Sequence, residues 1–191
     1  VLVEQAKQIR TMGSNILKIS LGAKAPSLYG FEKYNVGTTL ELFKAYPDFK
    51  KIFDMDFKYI FLWMHTLTDV QWKNGFDNAD EKKIYDEMYE FVSYLLKEYN
   101  NTGKTFMIGN WEGDWLLHPN YNRNHTPSTR DIANMTKWFQ LRQKAVDDAK
   151  NNINSISSTQ NITSTGTYFL RFEKANKMFS EVNGYTWKDC A

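Results

Sequence analysis

The side chains best suited to chemistry sit close together. Asn110-Trp111-Glu112-Gly113-Asp114-Trp115 directly follows the short apolar run TFMIG, residues 105–109. Trp111 and Trp115 offer flat apolar faces of the kind that pyranose rings stack against. They would also lower the local dielectric and raise the pKa of Glu112, which suits a general acid. Strand alternation would bring Ile108, Asn110 and Glu112 to one side. Asn110 could then hold a sugar hydroxyl while Glu112 gives or takes a proton. The plainer alternative is that Glu112 is a solvated or salt-bridged surface residue, as most glutamates are. Both readings stay open from the residues alone. Asp114 follows too closely to oppose Glu112 across a sugar, which leaves it a supporting or structural role.

A second cluster is smaller. Trp63 and His65 close the apolar run YIFLWM, at residues 59–64. A lone histidine there is more often a hydrogen-bonded structural residue than a catalyst, and it is kept as a ligand-binding candidate beside Trp63. Glu173, on a later candidate strand, would point into the same mouth if that strand forms. No other chemistry is signalled. His65, His118 and His125 lack zinc-ligand spacing, FDNADE lacks the EF-hand pattern, and there is no G-x-S-x-G. Neither a metal nor any other cofactor is expected. Cys190 is the single cysteine, so an intrachain disulfide is impossible.

Positioning these residues takes a framework of helices and strands. Leu2, Ala6 and Ile9 form a helical stripe ended by Gly13. NILKISLG reads as a strand with Leu17, Ile19 and Leu21 on one face. Residues 22–37, with Gly22, Pro26, Gly30 and Gly37, read as a long loop. Thr38 and Glu41 match a capping box that starts a helix running to Tyr46, and Pro47 breaks or kinks it. The run at 59–64 is the clearest strand, and its continuous apolarity predicts cover on both faces. Ile84, Met88, Phe91, Leu95 and Tyr99 place a helix over about 80–99. TFMIG is the third strand, and a helix beginning near Ser128 carries Ile132, Met135, Trp138, Phe139, Leu141, Ala145, Val146 and Ala149. Residues 151–166 are polar and read as loop or linker, and TYFLRFEKA as a further strand.

Strands spaced by helices are βα units around a parallel sheet. The fold class expected is therefore α/β, with the choice between part of a (β/α)8 barrel and an open doubly wound sheet. A full barrel typically takes about 250 residues, and this chain has 191. The division expected is residues 1–150 as βα units 1–4 of a barrel without its first strand, then 151–191 as polar loop and fifth strand. The chain begins at Val1 and runs straight into a helical pattern, which suggests a piece of a longer protein. Open sheet edges would then favour self-association. A formal net charge of +2, spread without like-charge runs, gives no argument for nucleic acid. No stretch approaches the roughly 20 apolar residues of a membrane span. Asn100, Asn124, Asn134 and Asn161 match the N-x-[ST] acceptor pattern, weak support for an exported protein. Aromatics make up 16% of the chain, which fits either a core of large residues or platforms facing a ligand.

GKTFMIGNWEGDWLL resembles the fourth-strand region of clan A glycoside hydrolases, which are (β/α)8 barrels. QAKQIRTMGSNILKISLG, YIFLWMHT and LRQKAVDDAK are similar to segments of poorly characterised proteins of that barrel type. The resemblance spans roughly residues 4–150, with a fainter continuation through YFLRFEKAN. It implies a carbohydrate ligand, an extracellular setting and Glu112 as the acid/base. The clan has Asn and Glu adjacent, whereas Trp111 separates Asn110 from Glu112 here, so the role carries over to Glu112 more firmly than to Asn110. The clan's nucleophile stands on the seventh strand. Retaining chemistry needs two carboxyls about 5–5.5 Å apart, so the expectation is that this chain alone does not turn over glycosides. The alternatives are a non-catalytic carbohydrate-binding relative, or a small α/β domain with another role.

Overall fold

A strand covered by helices on one side needs an apolar residue at every second position, and three segments of this chain meet that rule. The computed structural model describes residues 1–68, 75, 77–109, 117–122 and 124–156. Within them β1 (Ile16–Leu21), β2 (Tyr59–Met64) and β3 (Thr105–Gly109) form a parallel sheet in the order β1-β2-β3. The register aligns Leu17 with Ile60 and Ile60 with Phe106, then Ile19 with Leu62 and Leu62 with Ile108. These residues, with Leu21 and Met64, make the buried face. Each fully buried aliphatic or aromatic side chain contributes about 1.5–3 kcal/mol.

Parallel neighbours require crossovers, and helices supply them. Between β1 and β2 lie α2 (Ala25–Tyr29), α3 (Thr39–Ala45) and α4 (Pro47–Asp54). One long helix, α5 (Asn78–Glu98), joins β2 to β3, and α6 (Thr129–Ile156) follows β3. The N-terminal helix α1 (Leu2–Thr11) buries Leu2 and Ala6 in the same core. That core gathers the buried face of the sheet and residues from all six helices, Phe43, Phe49, Phe53 and Phe91 among them. Phe49 packs edge-on to Tyr29, Phe31 and Tyr46 and stacked on Phe43. Most of the described aromatic rings thus serve the core rather than a ligand.

Three expectations need correction. Among the described residues the run YIFLWM packs into the core on one side only: on the other, Tyr59 and Phe61 are half-buried and Trp63 is 38% exposed. Ile16 and Lys18 are exposed on that same face, so the second face carries none of the core. Residues 22–37 are not all loop. Pro26 at the helix start and Gly30 at its end, with φ +69°, bracket the short helix α2. Buried Tyr29 then ties α2 to β1, its hydroxyl accepting from the Ser20 N–H at 2.7 Å. Finally, α6 runs on to Ile156, taking in the start of the polar stretch, while Ile132 is 40% exposed rather than on its buried side. The candidate strand TYFLRFEKA lies outside the described residues.

Candidate functional site

In parallel α/β folds ligands bind beyond the carboxyl ends of the strands. Here that edge runs along the strand ends at Leu21, Met64 and Gly109. Ser20, Trp63 and Gly109 stand in one row across the sheet, with Leu21 beside Met64 one step further on. Trp63 lies on the uncovered face, and the Lys18 ammonium sits 4.0 Å from its ring centroid. His65 is half-buried and lies beside the end of β1: a Cβ on Gly22 would stand 3.7 Å from the His65 Cβ. Burial, and secondarily the charge of Arg142, hold the His65 imidazole below its ordinary pKa.

Two residues that carry no recognisable motif hold this edge. Glu87, on α5, is 2% exposed and accepts five hydrogen bonds. Its Oε1 receives the Thr39 N–H at 3.0 Å, the Thr39 hydroxyl at 2.7 Å and the Leu67 N–H at 2.7 Å. Its Oε2 receives the Thr68 N–H at 2.9 Å and the Thr68 hydroxyl. The carboxylate therefore joins the first turn of α3 to the loop after β2. Arg142, on α6, is fully buried, and its Nη2 donates to the Met64 carbonyl at 2.8 Å. Its guanidinium lies 4.7 Å from the Trp138 ring centroid. Burial brings its pKa down to about 10, against the opposing pull of Glu87, so it remains a cation at neutral pH. Among the described residues Nε and Nη1 have no hydrogen-bond partner.

Both residues had a signal in the sequence. Glu87 falls inside the apolar stripe of Ile84, Met88 and Phe91, and Arg142 inside that of Trp138, Ala145 and Ala149. A charge at such a position is either an error of phase or a buried polar device. Of the sequence-derived candidates, Trp63 and His65 come together at the end of β2. Asn110, Trp111, Glu112, Asp114, Trp115 and Glu173 lie outside the described residues. Among the described residues no group of three or more His, Cys, Asp or Glu is arranged to hold a metal. No described helix is long and apolar enough to cross a membrane. No protein-family model matches the chain, and neither does any curated protein or solved structure.

Proposed function

We propose that this chain is part of a glycoside hydrolase-like (β/α)8 barrel that holds a carbohydrate at the carboxyl edge of its sheet, with Glu112 as general acid/base. The observation that carries the reading is the winding. Three parallel strands follow one another in sequence order, and among the described residues their helices share a core with one face only. A doubly wound sheet covers both faces with helices, whereas a barrel keeps them all outside. On this reading the face bearing Lys18, Ser20, Tyr59, Phe61 and Trp63 looks into the barrel. Support for Glu112 is its distance along the chain: β3 ends at Gly109, three residues before it. Ile108 faces the helix-covered core, so strand alternation carried past Gly109 would turn Glu112 toward the helices, and the reading requires the chain to leave strand geometry after Gly109. β1 and β3 each have one neighbour among the described strands, so both would need further strands, or a second copy of the chain, to close them.

Acid catalysis by Glu112 needs an opposing carboxylate about 5–5.5 Å away for retention. Glu87, the carboxylate that holds this edge, already accepts from Thr39, Leu67 and Thr68, and no other carboxylate is proposed as the partner of Glu112. On this reading the chain alone is expected to bind glycans without cleaving them. Titration calorimetry against a panel of oligosaccharides should give weak binding, with no release of aryl alcohol from aryl glycosides. A longer polypeptide from the same gene, carrying a later strand that ends in a carboxylate, should hydrolyse them and lose that activity on Glu112→Gln. Turnover by the 191-residue chain itself would overturn the division of labour. A longer polypeptide that binds no glycan would overturn the carbohydrate reading altogether.

A further inference from the structure

The loop from Met64 to Thr68 carries one side chain with acid–base capacity, His65, and two buried charged side chains hold its ends. Arg142 from α6 takes the Met64 carbonyl, and Glu87 from α5 takes the Leu67 and Thr68 N–H groups. Stability alone does not call for this arrangement. Buried ions carry a desolvation cost, and apolar residues of similar volume often serve a core as well or better. Arg142 is the costlier of the two, because among the described residues Nε and Nη1 are buried without a hydrogen-bond acceptor. A guanidinium kept under those terms, against the carboxyl end of the central strand, orders the loop it touches.

We propose that Arg142 and Glu87 are positioning residues that fix the 64–68 loop so that His65 meets a polyhydroxylated ligand in one orientation. The inference rests on the carboxyl edge being the ligand side; it does not depend on Glu112 or on turnover. The charged side chains set around the loop are Arg142 from α6 and Glu87 from α5, while Lys18 from β1 lies over the neighbouring Trp63. Arg142 has a second effect through its charge, since it disfavours protonation of His65. A neutral imidazole can donate from one nitrogen and accept at the other, which matches a hydroxyl.

The test is histidine NMR on the whole chain, with the His65 signal assigned by its loss in His65→Gln, together with amide exchange at Leu67 and Thr68. In Arg142→Met the His65 pKa should move up, and the two loop amides should exchange about tenfold faster or more. The amides of Leu17 and Ile19 in β1 should keep their protection. Arg142→Lys, which retains the charge, should keep His65 close to its wild-type titration. An Arg142→Met variant that leaves both His65 and the loop amides unchanged would overturn the proposal. Should that variant fail to melt cooperatively, Glu87→Gln decides by exchange. Faster exchange at Thr68, beyond any rise shared with the Leu17 and Ile19 amides, supports the positioning role. Unchanged exchange, or equal acceleration throughout the sheet, refutes it.

Discussion

Glu87 offers the sharpest thermodynamic test, because one carboxylate answers donors from two separate segments. In Glu87→Gln the amide oxygen can replace Oε1 and keep Thr39 and Leu67 as donors. The amide nitrogen then replaces Oε2 and faces the Thr68 N–H, a donor against a donor. The Thr68 hydroxyl can rotate to accept, but the backbone N–H cannot. A hydrogen bond to a charged group contributes about 1.5–3 kcal/mol, and leaving its donor unpaired adds to the loss. The expected cost is therefore about 2–4 kcal/mol, a large share of the roughly 5–15 kcal/mol by which a domain is stable. Glu87→Leu removes all five bonds and leaves the buried Arg142 without its nearby counter-charge. It should cost about 4 kcal/mol or more. The double variant Glu87→Leu/Arg142→Met should recover part of that loss, since it removes the uncompensated cation as well. Urea unfolding followed by far-UV circular dichroism would show lower midpoints at unchanged slope for the single variants. If Glu87→Leu is as stable as the wild type, or the double variant is less stable by the plain sum of the singles, the buried pair does not work as described.

Other consequences are open to simple measurements. Phe49→Ala, which empties a fully buried site touched by four aromatic rings, should cost about 3–5 kcal/mol in the same unfolding assay; a loss below 1 kcal/mol would mean that the cluster collapses around the gap. Trp63→Ala should change stability by no more than about 0.5 kcal/mol, because the ring stands on the uncovered face, yet it should weaken glycan binding in calorimetry. A large drop in stability with unchanged binding would place Trp63 in the core instead. The lowered pKa of His65 sets a pH dependence. Between that value and the ordinary one near 6.5, the unfolded chain binds more protons than the folded chain, so this contribution to stability rises with pH. It is fully present above about pH 7 and is lost as acid is added below the unfolded value. Comparing urea midpoints of wild type and His65→Gln from neutral pH downward should show the extra slope only in the wild type.

What could be read in the sequence follows from how local the responsible physics is. Thr38 caps α3 by accepting from the Glu41 N–H, as the spacing of the two residues foretells. The second half of the box differs, for the Glu41 carboxylate takes the Gly37 N–H at 2.7 Å. Pro47 both ends α3 and opens α4, since a proline at the first helical position sacrifices no hydrogen bond. The Pro26–Gly30 segment misleads for the same reason: start and stop signals only a few residues apart look like punctuation in a loop, and only the packing of Tyr29 reveals the helix between them. Cover on the second face of β2 was not legible, because apolarity reports what a strand tolerates and not what is placed against it. The candidate site divides in the same way. Trp63 and His65 stand out by type at a strand end, while Glu87 and Arg142 look like ordinary helix charges until the phase of their helices is set by neighbours such as Met88 and Ala145. Once that phase is known, the two charges can only point inward, and an inward charge must be answered. Glu87 is answered by five hydrogen bonds, whereas Arg142, besides its contact with the Trp138 ring, donates among the described residues only through Nη2. That imbalance, at the end of the central strand, is the best physical reason to look for this protein's chemistry beside His65.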